Sequence, residues 1–430
     1  MVQQKQQNGN IVAIIMMILL FGMISFVTNL AAPMGVVLKE QFGVSSGMGM
    51  LGNMANFIAY AVMGIPGGLL LQKVGYKKTA LIAIAVGFLG IFIQYLSGYA
   101  GESSAFVVYL LGAFVAGFSM CLLNTVVNPM LNTLGGGGNK GNQLIQVGGS
   151  FNSVMATFTP AFVGILIGEA TKAKITDVFP VMYIAMGIFA LVFFVLWAIS
   201  IPEPNVERTA EPLGNLMSGV LKFRHFVLGA IAIFVYVGVE VGTPATMNLW
   251  LSEHPDVGKT IAGTVVGTYW LLMLVGRLTG AAIGGKVSSK TMLTVTSAVG
   301  LVLVLLAMFS PTTTQVSLPV FQSSDAGLSF GLAKVPINAM YIVLIGLCTS
   351  IMWGSIFNLA VAGIGKYLAA GTGIFMTLVC GGGIIPWIQA NVADIAGYIP
   401  SYWVMFAGLA YMLYYAVIGS KNVNKDIKVD

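Results

Sequence analysis

The sequence predicts an all-α membrane protein in which twelve transmembrane helices form two six-helix halves. Of its 430 residues, 57% are apolar and 8% are charged, whereas a soluble domain carries about 25% charged residues. A helix that crosses a bilayer needs about 20 mostly apolar residues, so this composition supplies roughly twelve spans and leaves little for an aqueous domain. The 54 glycines favour close packing of helix on helix, because small residues let backbones approach.

The individual spans follow from apolar runs that are bounded by charged or turn residues. Spans 1 to 12 are predicted at residues 11–34, 47–71, 78–97, 105–132, 143–168, 179–201, 223–251, 260–284, 291–309, 338–363, 368–390 and 400–419. Residues 202–222, with three prolines and several charges, predict an interdomain linker. It separates an N-terminal half (1–201) from a C-terminal half (223–420), and the polar tail (421–430) is expected to be disordered.

The distribution of basic residues predicts the orientation of the bundle. Fourteen Lys and Arg residues fall on the side of the N-terminus and five on the opposite side. Cytoplasmic loops of membrane proteins carry the excess of basic residues. We therefore expect both termini in the cytoplasm, in a multi-pass protein of the cell inner (plasma) membrane.

The two halves share short motifs in matching connections. Mostly at an offset of 213 residues, Gly67, Lys73, Val74, Lys77 and Thr79 match Gly280, Lys286, Val287, Lys290 and Thr291. At an offset of 230 residues, Asn128, Gly135 and Gly141 match Asn358, Gly365 and Gly371. Matching positions in two halves of the same orientation indicate a parallel repeat, and such membrane proteins place their substrate site between the halves near mid-membrane.

Longer motifs carry a family resemblance. They are Asn124-Thr-Val-Val-Asn128-Pro129, Gly149-Ser-Phe151-Asn152-Ser153, Gly64-Ile-Pro66-Gly, Gly75-Tyr76-Lys77, Arg224-His225, Tyr236-Val-Gly238-Val-Glu240, Gly276-Arg277-Leu-Thr-Gly280, Phe357-Asn358-Leu-Ala and Gly381-Gly-Gly-Ile-Ile-Pro386. By their order and spacing, the sequence resembles the fucose, galactose and glucose proton symporter family of the major facilitator superfamily, which includes L-fucose permeases. The resemblance implies an alternating-access transporter that imports a monosaccharide together with a cation, H⁺ or Na⁺.

The sequence departs from this family at its acidic positions. The carboxylates of spans 1 and 4 that bind protons and sugar in fucose permeases fall at Ala32 and Asn124, and neither side chain can carry a proton. A family glutamine of span 5 falls at Gly149, although Asn152 matches. The resemblance therefore supports transport of a sugar of the fucose, glucose and galactose class more than it supports that coupling mechanism.

Glu240 is the candidate ion-coupling residue. An ionisable side chain inside a span costs at least about 2.5 to 3.5 kcal/mol to insert, so it is a functional candidate by default. Counted from the start of its span, Glu240 lies near mid-membrane, whereas Arg277 lies near the cytoplasmic end of span 8, and we expect no salt bridge between them. Arg277 is interpreted as a structural or snorkelling residue. The alternative for Glu240 is a carboxyl group that hydrogen-bonds between helices.

Prolines close to this position predict broken helices. Gly242-Thr-Pro244 follows Glu240 in span 7, and Pro33 holds the matching place in span 1. Broken helices at matching positions of two repeats mark a binding region in transporters. We therefore expect both helices to be interrupted there.

Neutral amides and aromatic rings form the candidate sugar site. Asn124, Asn128 and Asn132 recur every four residues and share one side of span 4, and amides supply the donors and acceptors that sugar hydroxyls require. The predicted substrate-binding residues are Asn53, Asn124, Asn128, Asn152, Trp353, Asn358 and Gln389. The alternative for the asparagines is interhelical packing. Trp353 is placed to stack on a sugar ring, with Trp250 and Trp387 as rivals and anchoring at the membrane interface as the alternative.

Other classes of protein and of site lack support in the sequence. Basic residues form no cluster of the kind that binds nucleic acid, and the acidic residues are too dispersed for a polytopic membrane enzyme. We expect no metal site and no cofactor apart from the coupling ion, a lipid bilayer as surroundings, and a monomer. Two alternatives remain, which are a major facilitator exporter of amphipathic small molecules and a sugar uniporter.

Overall fold

The computed structural model describes residues 2–42, 51–167, 174–203, 213–324, 327–424, 426, 427 and 429. Within these residues, eleven helical segments are long and apolar enough to cross a membrane. The remaining predicted span, span 5, is also a helix, Gly138–Ile167, but Gly, Asn and Gln make up a larger share of its residues than of the other spans. Its polarity places hydrogen-bonding groups inside the bundle.

The helices have the following bounds. Spans 1 to 6 are Val2–Phe42, Leu51–Val74, Tyr76–Leu96, Glu102–Leu134, Gly138–Ile167 and Phe179–Ala198. A short helix, Leu213–Val220, lies in the predicted linker. Spans 7 to 9 are Arg224–Glu253, Gly258–Ile283 and Ser289–Phe309. Span 10 consists of Ile337–Thr349 and Met352–Ala360, span 11 of Leu368–Thr377 and Gly381–Ala396, and span 12 of Tyr398–Ser401 and Trp403–Tyr414.

Two charged side chains, Glu203 and Lys77, join spans 3 and 6 through hydrogen bonds to backbone groups. Gly75, at φ +84°, makes the turn between spans 2 and 3, and the Glu203 carboxylate accepts the Tyr76 and Lys77 backbone N–H groups at 2.7 and 3.0 Å. Lys77 Nζ donates to the Trp197 carbonyl at 3.0 Å. A carboxylate at a helix N-terminus and an ammonium at a helix C-terminus each complement the helix dipole. The two ends are thereby held level.

A β-hairpin occupies the long connection between spans 9 and 10. Strand β1 (Gln315–Ser324) pairs antiparallel with β2 (Gly327–Pro336). Leu318, Val320, Ala333 and Val335 are buried, as expected when alternate residues of a strand share one face. The hairpin therefore packs one face on the helices instead of forming an irregular loop.

The predicted interruptions of spans 1 and 7 are wrong, because both helices continue past their prolines. Pro244 has no N–H, so it leaves the carbonyl of Glu240, four residues earlier, without its helical partner. The Tyr269 hydroxyl, which lies 3.1 Å away on span 8, donates to that carbonyl instead. Since one side chain satisfies the freed group, the helix does not have to break.

Span 10 breaks close to the bundle interior. Its two segments are separated by Ser350 and Ile351, and their carbonyls accept hydrogen bonds from other spans. Irregular backbone at membrane depth is tolerated where other groups satisfy it inside the protein. The break therefore presents acceptors to the interior.

The two halves meet closely at the end of the bundle where span 1 begins and span 2 ends, which we call the N-terminal face. Spans 2 and 11 are in such close contact that a Cβ at Gly68 would lie 2.8 Å from the Gly373 Cα. On the other side of the bundle axis, Gln143 of span 5 donates to the Ala281 carbonyl of span 8 at 2.9 Å. The N-terminal face is therefore closed.

The expectation of a disordered tail is wrong for its described residues. The Asn424 Oδ1 accepts the Arg224 backbone N–H at 3.1 Å, and the Val429 carbonyl accepts the Lys366 backbone N–H at 3.0 Å. The tail therefore lies against the beginning of span 7 and the connection between spans 10 and 11.

Candidate functional site

A ladder of amides crosses from the first half into the second. Asn124 Nδ2 donates to the Tyr60 hydroxyl at 2.7 Å, and Asn128 Nδ2 donates to the Asn124 carbonyl at 2.9 Å. Asn128 Oδ1 then accepts the Trp353 indole N–H of span 10 at 2.9 Å. The spacing of four residues predicted the common side of span 4, but it gave no signal for Tyr60 or for the bond to Trp353.

Aromatic rings surround the end of this ladder. The Trp353 ring is edge-on to Tyr236 of span 7 and Phe375 of span 11, with centroid distances of 6.4 and 6.3 Å. Phe357 lies edge-on to Phe375 at 5.2 Å. Among the rival tryptophans, Trp250 instead contacts His254 at the far end of span 7. An apolar ring wall beside polar amides is suited to an amphipathic ligand such as a sugar.

A second amide pair joins the halves nearer the N-terminal face. Asn132 Nδ2 donates to Asn358 Oδ1 at 2.7 Å, and Asn358 Nδ2 donates to Ser289 Oγ at 2.8 Å. Asn132 and Asn358 are 9% and 7% exposed. Asn358, a predicted sugar ligand, therefore has both ends of its amide engaged by protein.

Glu240 and Arg277 form a salt bridge, so the expectation that none joins them is wrong. Arg277 Nη2 donates to Glu240 Oε1 at 3.1 Å, and the two side chains are 12% and 13% exposed. The expectation counted Glu240 from the start of span 7 at one face and Arg277 from the start of span 8 at the opposite face, so it depended on the assumed length of each span. From the turn that joins the spans, Glu240 lies about 13 residues back and Arg277 about 19 residues on. The difference in depth is about 9 Å, within reach of the long arginine side chain.

The same guanidinium binds groups on the other half. Nη1 donates to Ser153 Oγ at 2.7 Å, Asn152 Oδ1 at 3.3 Å and the Gly149 carbonyl at 3.2 Å, all on span 5. Nε donates to the Ser350 carbonyl at the break of span 10 at 3.3 Å. Arg277 therefore connects spans 5, 7, 8 and 10. The sequence predicted a structural residue at this position but not these partners.

The remaining predicted ligands are placed apart from the ladder. Asn152 donates through Nδ2 to the Phe21 carbonyl of span 1 at 3.0 Å. Its Oδ1 accepts from Arg277, so Asn152 lies among the groups that the guanidinium binds. Gln389 is fully buried, and its amide has no hydrogen-bond partner within the described residues. It lies beside Gly242 of span 7. The side chain of Asn53 lies outside the described residues.

The geometry places polar groups where two helical halves meet, and comparison with known proteins identifies the family. The model of the Major Facilitator Superfamily matches residues 14–386. This chain belongs to the major facilitator superfamily. The predictions of a major facilitator fold and of a transporter rather than an enzyme are thereby confirmed.

Relatives cover nearly the whole of this major facilitator chain. A glucose/galactose transporter of Brucella abortus biovar 1 (strain 9-941) is 30% identical over 94% of this chain and 93% of its own length. The L-fucose-proton symporter of Escherichia coli (strain K12) is 21% identical over 92% and 90%. A crystal structure of the major facilitator transporter FucP in the outward conformation superposes with a TM-score of 0.80 at 18% identity, over 96% of this chain and 100% of that one.

Proposed function

We propose that this protein imports a monosaccharide of the fucose, glucose and galactose class by cation symport, with H⁺ or Na⁺, through alternating access. The observation that carries the proposal is the amide ladder ending on the Trp353 ring, because it lies where spans 4 and 10 of the two halves meet. Amides match sugar hydroxyls, and a ring face matches the apolar face of a sugar. The names of the two relatives support the same substrate class.

Glu240 is the proposed ion-coupling residue. It is a largely buried carboxylate inside a span, and such groups mark ion and proton pathways in transporters. The positions at which fucose permeases carry their coupling acids hold Ala32 and Asn124 here. A different carboxylate must therefore respond to the cation if the protein is a symporter.

Uniport is the second candidate, and the salt bridge favours it. Glu240 already has a cationic partner 3.1 Å away, so the pair is electrically balanced without an external cation. A transporter in which this pair never separates would move sugar only down its gradient.

Uptake by the purified protein in proteoliposomes distinguishes the candidates. Labelled glucose, galactose and fucose would each be supplied under an imposed pH gradient and, separately, an imposed Na⁺ gradient. We expect accumulation of at least one sugar above equilibrium under one gradient, and none in protein-free liposomes. Equilibration without accumulation would establish uniport. If none of the three sugars were transported and an amphipathic dye were exported instead, the protein would be an exporter of amphipathic small molecules and the proposal would be wrong.

A further inference from the structure

The charge balance around Arg277 differs between the two halves. Its acceptors on span 5, Ser153, Asn152 and the Gly149 carbonyl, are all neutral, and so is the Ser350 carbonyl of span 10. The counter-charge comes from Glu240 of span 7. A buried cation is stable when an opposite charge and hydrogen bonds compensate its lost hydration. Glu240 therefore determines whether the guanidinium is stable where it contacts span 5.

The other titratable side chains at this position are neutral phenols. Within the described residues, those in electrostatic contact with Glu240, apart from Arg277, are Tyr236 of span 7 and Tyr269 of span 8. Spans 5 and 10 present hydroxyl, amide and carbonyl groups to the pair. A cation that arrives at the carboxylate therefore competes with Arg277 itself.

We infer that Arg277 is a positioning residue through which the charge on Glu240 controls contact between the two halves. With Glu240 ionised, the salt bridge holds the guanidinium against span 5 and keeps the N-terminal face closed. When a cation binds the carboxylate, Arg277 loses its counter-charge and its bonds to span 5 weaken, so the halves can separate at that face. The inference rests on the proposed symport for the cation, and it assigns to Arg277 the step that links cation binding to opening.

A purely structural arginine would behave differently. It would hold the halves together whatever the charge on Glu240, in the manner of the Asn132–Asn358 pair, in which neither side chain titrates. The two roles differ in whether the contact between spans 5 and 8 depends on the charge of Glu240. It can be measured without any sugar.

Pulsed electron paramagnetic resonance between two spin labels reports this contact. Lys140, near the start of span 5, and Lys286, just after span 8, are both exposed and flank the contact between Gln143 and Ala281. Each would be replaced by a labelled cysteine after Cys121, Cys348 and Cys380 are changed to Ala. A pair at Lys78 and Lys140, both in the N-terminal half, is the control, and its distance should not change.

Four variants, measured in liposomes at neutral pH, test whether the charge on Glu240 controls closure of the N-terminal face. We expect a short distance to dominate in the otherwise unmodified protein. Glu240→Gln, which mimics the cation-bound carboxyl, and Arg277→Gln should each shift the population to a longer distance. Ser153→Ala, which removes a neutral acceptor of the guanidinium, should lower the closed-to-open ratio about tenfold. Thr157→Val is its matched control, because the Thr157 hydroxyl bonds to the Ser153 carbonyl within span 5.

The cation response decides the outcome. Acidification or added Na⁺ should lengthen the Lys140–Lys286 distance in the unmodified labelled protein, and this response should be lost in Glu240→Gln. Arg277→Lys, which keeps the charge but not the fork of donors, provides a milder test if Arg277→Gln does not fold. An unchanged distance in Glu240→Gln, or a full cation response in that variant, would overturn the inference. These readouts need no sugar, so a failure of sugar uptake alone contradicts the proposed function and not the role of Arg277.

Discussion

Asn128 is one of the residues at which the polar interior of the first half reaches the second. It is fully buried, donates along span 4 and accepts from Trp353 of span 10. An amide in this position is suited to exchange its protein partner for a sugar hydroxyl, because both are single hydrogen bonds of similar geometry. The alternative, a fixed packing contact, predicts a different response to mutation.

The first prediction is that Asn128→Ala weakens sugar binding tenfold or more, about 1.4 kcal/mol, because a sugar hydroxyl loses its partner in a buried site. Asn391→Ala is the control, since that exposed amide bonds to its own helix at the Trp387 carbonyl. Binding would be measured by titration calorimetry with the transported sugar. Unchanged affinity in a folded Asn128→Ala protein would assign the residue to packing between spans 4 and 10.

The second prediction concerns Glu240. Glu240→Gln should abolish gradient-driven accumulation of sugar while exchange of labelled for unlabelled sugar remains measurable, because the amide keeps the side-chain shape but cannot change charge. Glu240→Asp should retain partial accumulation with a shifted dependence on pH or Na⁺. Both would be measured in the same proteoliposomes. Full concentrative uptake by Glu240→Gln would rule out Glu240 as the coupling residue.

At the scale of the element, span 7 shows how a proline is accommodated inside the membrane. Pro244 leaves the Glu240 carbonyl without a helical donor, and the Tyr269 hydroxyl of span 8 replaces it. The residue that carries the proposed coupling charge is thus bound to span 8 twice, through its backbone by Tyr269 and through its carboxylate by Arg277. Spans 7 and 8 should therefore move as one unit.

The third prediction tests whether the Tyr269 hydroxyl takes the place of the backbone N–H that Pro244 lacks. Tyr269→Phe should lower the free energy of unfolding by about 1 to 3 kcal/mol, because the Glu240 carbonyl is left unpaired. In a Pro244→Ala background the same change should cost less than about half as much, since the restored N–H can bond to that carbonyl. Stability would be measured by denaturant titration in micelles. Tyr411→Phe is the matched control, because the Tyr411 hydroxyl donates to the Leu228 carbonyl and its effect should not depend on Pro244. The prediction would be contradicted if Tyr269→Phe lowered the free energy of unfolding equally in both backgrounds.

At the scale of the whole molecule, the orientation in the membrane determines towards which compartment the closed N-terminal face is turned. Span 2 against span 11 and span 5 against span 8 close the N-terminal face. The basic residues predict that this face is cytoplasmic. In that orientation the molecule would be shut towards the cytoplasm, which is the state in which the proposed importer would accept its substrate from outside.

The fourth prediction tests the orientation. In a cysteine-free background, single cysteines at Asp256 and Thr312 should react with a membrane-impermeant maleimide added to intact cells. Cysteines at Lys140 and Lys222 should react after the cells are broken and not before. All four positions are exposed in the fold, so burial does not confound the labelling. The reverse pattern would invert the orientation and the direction of transport.

Several elements were predictable because they depend on properties local in the chain. Hydrophobic length determines a span, and a period of four residues determines which asparagines share a side of span 4. The repeat in sequence also predicted two similar halves. It did not predict partners, however, since Asn128 and Asn358 match in the repeat but Asn128 bonds to Trp353 and Asn358 to Asn132.

Composition and hydrophobic length are enough to predict a helical membrane protein with about twelve spans and a small set of polar residues inside them. The packed helices, by contrast, are needed to see that Arg277 pairs with Glu240, that Tyr269 replaces the donor missing at Pro244, and that span 10 breaks where it meets span 5. The physical reason is that these contacts depend on the relative level and tilt of neighbouring helices. Packing between helices determines level and tilt, and residue counts along one helix do not contain that information.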